Sequence, residues 1–445
     1  MRIDIKHPEI FSRFFYNLTG TKLKSNIEGI STDTREIFKG DLFVAIKGND
    51  FDGNNFIGKA SELGASAALV SKISKRIKIE QIKVKNPVDI LIEIATMWRQ
   101  KFKIPVIAIT GSNGKTSTKE LLYHLLSGSY KVHATNKNFN TSLGLSLTLL
   151  ELNELHEISI LELGSSKPGE IKALCKISDP THGLITNIAP AHYMNFGSIK
   201  NIVNEKIELF NYLRDGTCFL NVSDKELSKV HLKGKNITYG INVNCDFQGI
   251  TSLNNDGSFN LTIAGNITLK RLRNSSFIKN IISTSAVALT IGLKKSMIKS
   301  RIDSFQTPKG RCRISKINGI TVIDDTYNAN LNSSIAALDY LNTFSDEGRR
   351  LFVFGDMLEL GNKSIEQHEL IGEKCLNLNL DYLFTIGEHS SHTFKSFQSI
   401  NKKHFLQPSD LIISLKKFIR EKDKILFKGS RGMRMENIIN GVFLS

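Results

Sequence analysis

At 445 residues the chain is longer than one typical core and implies about two to four domains, while 40% hydrophobic residues let those cores form without disulfides. Its five cysteines, Cys175, Cys218, Cys245, Cys312 and Cys375, are scattered and odd in number, which suits a reducing compartment and argues against a thiol metal cluster. The formal charge of +16 is spread as lysines among asparagine, isoleucine and serine, with no basic tail or aromatic–basic pattern. It therefore reads as a solvated surface able to steer acidic ligands, and no nucleic-acid partner is expected. The start "MRIDIKHPEIF" carries no long apolar run, so neither a secretory leader nor an integral membrane segment is expected.

Along the chain, residues 1–90 contain "GDLFVAIKG" and "GASAALV", two short apolar strands, with "NNFIGKASELG" as a helix between them. This predicts a small α/β domain. Over 91–313, "ISILELG" and "HGLITNIA" suit buried strands and "NIISTSAVALTIG" a packed helix, the pattern of a doubly wound sheet. "GTCFLNVSD", "ITYGINV" and "FNLTIAGNITLK" add further strands, for which an antiparallel arrangement is open. In 314–445, "RRLFVFGDM", "DYLFTIG" and "DKILFKGSRG" are short strands alternating with helices, which favours a mostly parallel sheet.

The stretch "IPVIAITGSNGKTSTKELLYHLL", residues 104–126, carries the chemistry. A β-branched run ends in a glycine turn, and leucines then recur at helical spacing. Strand, turn and helix start surround an anion with backbone N–H groups, Lys115 adds a mobile positive charge, and the Thr116 hydroxyl suits magnesium. Ile109 stands where the general nucleotide loop has its first glycine, so only the compact Gly111-x-x-Gly114-Lys115-Thr116 form is present.

Other polar groups follow strand-like runs. Glu162 closes "ISILE" and can reach a magnesium ion; His192 follows another strand, and Lys206 lies in the helix after it. Magnesium prefers oxygen ligands, and a solvated helix lysine is the plainer reading of Lys206. Arg311 in "PKGRCRI" can stabilise phosphate, and Asp324, Asp325 and Asn328 follow the strand "TVI". An interdomain salt bridge and an asparagine-rich turn are the plainer readings of these. Lys428, Ser430 and Arg431 can bind an anionic substrate or face water.

These phrases together resemble the ATP-dependent Mur ligases. The likeness runs through "STDTREIFKGDLFVAIKG" and "FDGNNF", then "TGSNGKTSTKE", "LELGSSKPGEI" and "TNIAPAHYMNFGS", and finally "DDTYNANLNSS", "FGDMLELG" and "KGSRGM". It implies an α/β, three-domain Mur ligase architecture. Residues 1–90 would bind the UDP substrate, 91–313 would form the central P-loop ATP-binding domain, and 314–445 a C-terminal Rossmann-like domain. Within the family, the third-domain wording is similar to the branch that joins D-alanyl-D-alanine to UDP-N-acetylmuramoyl-tripeptide through an acyl phosphate. The related ligase adding the third amino acid characteristically has an Asp-Asn-Pro-Arg phrase, absent here. Folate-type ligases should lack the first domain. A phosphate-transferring kinase and a non-catalytic nucleotide-dependent binding protein are the alternatives from other classes.

The resemblance places ATP phosphates at Gly111, Ser112, Asn113, Gly114, Lys115, Thr116 and Ser117, with Asn280 near adenine, Arg311 on the nucleotide and Asp325 near the ribose. It makes Thr116, Glu162, His192 and Lys206 magnesium-site residues, Lys206 carbamylated, with Lys115, His192 and Lys206 catalytic. Ser31, Thr32, Lys47, Asn54, Asn138 and Asn328 fall in substrate-binding regions. A cytoplasmic monomer is implied. The wording departs from the family's at Asn54, Lys137, Thr141, Ser166, Ser276, Phe277 and Leu331.

Overall fold

The computed structural model describes residues 1–48, 51–136, 138–190, 193–254, 256–344 and 347–444. Two compact units divide the chain, the first made of 1–108, 130–165 and 169–182, the second of 109–129, 166–168 and 183–445.

The first unit opens with a five-stranded sheet ordered β1 (Arg2–Asp4), β2 (Gly29–Ser31), β3 (Asp41–Val44), β4 (Ala67–Val70), β5 (Glu80–Lys83). Only β1 runs antiparallel to its neighbour; β2 through β5 pair in parallel. The apolar runs expected as strands are β3 and β4. The helix expected between them is a 3₁₀ turn, Gly53–Phe56, leading into Ile57–Glu62, whose Ile57 and Ala60 pack with Phe43, Ala68 and Val70. Asn86 caps the helix Pro87–Arg99, which runs across residue 90 and buries Leu91, Ile94, Ala95 and Trp98. Later in the unit β7 (Val132–Ala134) pairs in parallel with β8 (Ile158–Glu162).

Strand β6 (Val106–Thr110) passes from the first unit into the second, and with β7 and β8 it belongs to a nine-stranded sheet. The other members are β9 (His182–Ile185), β10 (Thr217–Asn221), β11 (Lys235–Ile241), β12 (Phe247–Leu253), β13 (Phe259–Ile263) and β14 (Ile267–Leu272), in the order β14-β13-β12-β11-β10-β9-β6-β8-β7. The antiparallel arrangement left open for the later strands holds for β12, β13 and β14; β10, β11 and β12 pair in parallel.

The second unit ends in a six-stranded sheet: β15 (Arg313–Ile317), β16 (Ile320–Asp325), β17 (Arg350–Gly355), β18 (Tyr382–Ile386), β19 (Lys402–Phe405) and β20 (Lys424–Lys428), ordered β15-β16-β20-β17-β18-β19. Its pairs are parallel except β15 with β16. Strand β17 shows why it is doubly wound. Phe352 and Phe354 pack with Leu338, Leu341, Ile371 and Cys375 on one face, while Leu351 and Val353 pack with Leu411, Leu415, Ile438 and Val442 on the other. A strand buried on both faces must be apolar at consecutive positions, as "LFVF" is. No described helix is long and apolar enough to cross a membrane.

Candidate active site

In the second unit the chain leaves β6 at Thr110 and turns through Gly111. That glycine has φ +138°, and a Cβ there would lie 2.1 Å from Thr186 Oγ1, so both space and backbone exclude a side chain. Gly114, at φ +83°, caps the helix Lys115–Leu126, whose Leu121, Leu122, Leu125 and Leu126 are buried. The expected strand, turn and helix are all present.

The loop's main chain is pinned to the segment after β9. Ser112 N–H donates to Asn187 O at 3.0 Å, and Ser112 Oγ donates to Ala189 O and accepts from Ala189 N–H, each at 2.9 Å. Asn113 N–H donates to Asn187 Oδ1 at 3.1 Å, while its carbonyl accepts from Thr186 Oγ1 at 2.6 Å and Asn187 Nδ2 at 2.9 Å. Lys115 folds back over this frame, Nζ donating to Gly111 O at 2.7 Å. Thr116 and Ser117 are half-buried in the first helical turn, whose N–H groups have no intrahelical acceptors and favour an anion.

Asn280 lies on the helix Ser275–Ile291 and accepts from Thr118 Oγ1 at 3.2 Å; its Oδ1 is 3.4 Å from where a Gly114 Cβ would stand. The expected adenine-side residue therefore packs against the phosphate loop. Arg311 stacks its guanidinium 3.8 Å over the Tyr327 ring and donates from Nη2 to Thr116 Oγ1 at 3.2 Å. Tyr327 was not among the sequence candidates, although it sits inside the quoted "DDTYNAN".

Asp325 accepts from Cys312 N–H at 3.1 Å and from Lys428 Nζ at 2.5 Å, and Lys428 also donates to Asn328 O at 3.0 Å. Asn328 Oδ1 accepts from the N–H groups of Ala329 (2.9 Å) and Arg431 (3.3 Å). Asp324 holds Gly310 N–H at 2.9 Å. Burial, with the Asp325 charge second, pushes the Cys312 thiol well above its ordinary range, so this cysteine is held as a thiol.

Lys206 is on the helix Ile199–Tyr212, capped by Ser198. It is 3% exposed and shares the buried face with Ile202, Leu209 and Phe210, which overturns the solvated-lysine reading. His192 lies outside the described residues, as does Lys137.

In the first unit, Glu162 ends β8 and is 2% exposed. Its N–H donates to Thr135 Oγ1 at 2.9 Å, and its Oε1 accepts from Asn140 Nδ2 at 2.8 Å. Asn140 also accepts Gly164 N–H through its carbonyl at 2.9 Å, so it spans both sides of the Glu162 strand end. Asn138 is exposed, and Thr141, a departure from the family wording, caps the helix Ser142–Leu150.

Among the N-terminal candidates, Ser31 is buried and donates to Asp33 O at 2.8 Å, and Thr32 N–H donates to Met1 O at 2.9 Å. Lys47 is exposed, and its backbone pairs with that of Asp52 in an isolated antiparallel β-bridge. Asn54 uses its whole amide locally: Nδ2 donates to Asp52 Oδ1 (2.6 Å) and Ser71 Oγ (2.9 Å), and Oδ1 accepts from Ser71 and Lys72 N–H, both at 3.2 Å. The Asn54 bonds also hold the Asp52 carboxyl below its usual range.

Comparison with known proteins agrees with this arrangement. Three family models match: "Mur ligase family, catalytic domain" over 26–99, "Mur ligase middle domain" over 109–289 and "Mur ligase, glutamate ligase domain" over 310–431. The UDP-N-acetylmuramoyl-tripeptide–D-alanyl-D-alanine ligase of Bacillus subtilis is 31% identical over 435 residues, covering 94% of each chain. A crystal structure of MurF from Acinetobacter baumannii superposes with a TM-score of 0.85 at 27% identity, covering 98% of each chain. MurF ligase from Thermotoga maritima in complex with ADP gives a TM-score of 0.80 at 28% identity, covering 93% of this chain and 96% of that one. A loop built for phosphate and relatives matched along almost the whole length lead to one assignment: the chain belongs to the Mur ligase family.

Proposed function

We propose that this protein is an ATP-dependent amide ligase that joins D-alanyl-D-alanine to UDP-N-acetylmuramoyl-tripeptide, forming the pentapeptide precursor of peptidoglycan with ADP and phosphate. The observation that carries the reading is the extent of the match to a ligase of that name, 94% of both chains, which includes the N-terminal five-stranded sheet that a folate-type ligase should lack. We assign UDP-substrate binding to residues 1–90, with Ser31, Thr32, Lys47 and Asn54 as candidates, ATP to 91–313, and amine delivery to 314–445. Asn138 and Asn328 are further candidates for substrate contact.

The tripeptide's terminal carboxylate attacks the γ-phosphorus of ATP, and the bond to the β-bridging oxygen breaks, giving an acyl phosphate and ADP. The dipeptide amine then attacks the acyl carbon, loses a proton, and phosphate leaves as the amide forms. Lys115 and the helix start stabilise the phosphoryl oxygens, and Arg311, aligned by Tyr327, faces the same loop from the β15–β16 side. Asn280 and Asp325 are the candidate contacts to the nucleoside.

Magnesium, when bound, would neutralise charge on the phosphate oxygens. Among the described residues no group of three or more His, Cys, Asp or Glu forms a metal site. We assign the Thr116 hydroxyl and the Glu162 carboxylate as candidate oxygen donors, the donor type that suits magnesium. Carbamylation would give Lys206 oxygen donors too, and His192 completes the implied set. We place the reaction in the cytoplasm, where ATP and UDP precursors are made, with a monomer as the working form.

The test supplies ATP and UDP-N-acetylmuramoyl-tripeptide with and without D-alanyl-D-alanine, following phosphate release and product mass. Release that depends on both substrates, with a product heavier by the dipeptide less water, is the expected result. Turnover indifferent to the dipeptide would overturn the assignment.

A further inference from the structure

Asn330 is not among the residues given a ligand role above. It caps the helix Leu331–Asn342: its Oδ1 accepts from Ser333 N–H at 2.9 Å, and its own N–H donates to Ser333 Oγ at 3.0 Å. This reciprocal box settles which end of the amide is which. The outward end must be Nδ2, a donor, and it donates to Asn113 Oδ1 at 2.7 Å.

Capping uses only the acceptor half of that amide, and serine or aspartate would serve equally well there. The donor half is surplus to helix formation, yet it is spent on the middle of the phosphate loop. Asn113 is also anchored through both its N–H and its carbonyl, by Thr186 and Asn187. Three residues further on, Thr116 receives Arg311. The segment 310–330 thus meets the loop at two points flanking Gly114 and Lys115.

We propose that Asn330 is a positioning residue for phosphoryl transfer, fixing Asn113 and with it the curvature of the loop that receives the ATP phosphates. This rests on the ATP-dependent reading above, but its primary measurement does not require ligation.

Asn330→Ser keeps a capping oxygen and is too short to reach Asn113. Calorimetry of the full chain with ATP and magnesium should show binding weakened about five- to tenfold, the effect of one lost hydrogen bond, with an unchanged melting temperature. In the ligation assay KM for ATP should rise and KM for the UDP-tripeptide should stay the same. Asn330→Ala should add a loss of melting temperature by removing the cap. Asn113→Ala should weaken ATP similarly, and Asn330→Ser with Asn113→Ala should be no worse than either alone. Wild-type ATP affinity in Asn330→Ser, or independent, multiplying effects in the double variant, would overturn the proposal. A wild-type protein that binds ATP without ligating the dipeptide would instead overturn the ligase reading, while the affinities still decide the role of Asn330.

Discussion

Lys428 Nζ lies 2.5 Å from Asp325 Oδ2 in a position where the lysine side chain is 2% exposed. The pair is a consequence of register: β16 and β20 run in parallel with Asp325 opposite Lys428 at their C-terminal ends. Such ends form the ligand-facing edge of an open α/β sheet. Asp325 therefore has a structural partner as well as its proposed place near the ribose. Removing one member of a buried pair strands the other. Asp325→Ala should cost about 3–5 kcal/mol of stability, and Asp325→Ala with Lys428→Met should recover most of it. Urea unfolding of the single and double variants checks this. A double variant as unstable as Asp325→Ala would mean the pair's charge is not the cause.

Lys115→Ala should remove most ligation, because the phosphates lose a mobile cation and the loop loses the bond to Gly111 O. UDP-tripeptide binding should survive. Binding and turnover are measured on the same folded preparation, and near-normal turnover would exclude Lys115 as a catalytic contact.

How much of this was legible depended on whether the information was local. Gly111, Gly114, Lys115 and Thr116 are close in sequence, and their spacing alone describes the loop. The C-terminal sheet was readable because "LFVF" and "KILF" are apolar at consecutive positions, the mark of strands covered on both faces. The bonds from Asn187 to Asn113, from Asn140 to Glu162 and from Asn330 to Asn113 join distant segments, so no window of sequence contains both partners. The burial of Lys206 was hidden for a related reason. A lysine that directly follows Asn204 and Glu205 looks solvated until the helix face it shares with Ile202, Leu209 and Phe210 is known to be buried.

His133 gives a pH dependence with a definite sign. It is buried in β7, with Nδ1 2.9 Å from Ser159 Oγ and Nε2 2.8 Å from the Thr148 carbonyl. A carbonyl only accepts, so Nε2 carries the proton and Nδ1 accepts from the serine. Burial, the larger cause, lowers its pKa from 6.5 to about 4. The folded state thus resists a proton that the unfolded chain takes up. The contribution is complete above pH 6.5 and is lost as pH falls towards 4, with a slope of about 1.4 kcal/mol per pH unit at most. Unfolding free energies of wild type and His133→Gln between those limits should diverge in slope. Parallel curves would remove His133 from the acid sensitivity.

Lys206 offers the sharpest test of the metal chemistry. Its side chain is on the buried face of the helix Ile199–Tyr212. In the proposed magnesium site an ammonium would add a further positive charge, whereas a carbamate would supply oxygen donors. Carbamylation joins the neutral amine to carbon dioxide and releases a proton, so it depends on dissolved bicarbonate. Lys206→Ala should slow phosphoryl transfer strongly, and added short carboxylates should restore it weakly because they are not tethered. Lys206→Arg should also be poor: it keeps the positive charge but cannot form the carbamate. A lysine serving only as a buried cation predicts the reverse order, with arginine tolerated and bicarbonate irrelevant. Steady-state ligation by wild type, Lys206→Ala and Lys206→Arg is compared in carbon-dioxide-depleted and bicarbonate-supplemented buffer, with folding checked by circular dichroism. Full activity of Lys206→Arg in both buffers would exclude the carbamate role.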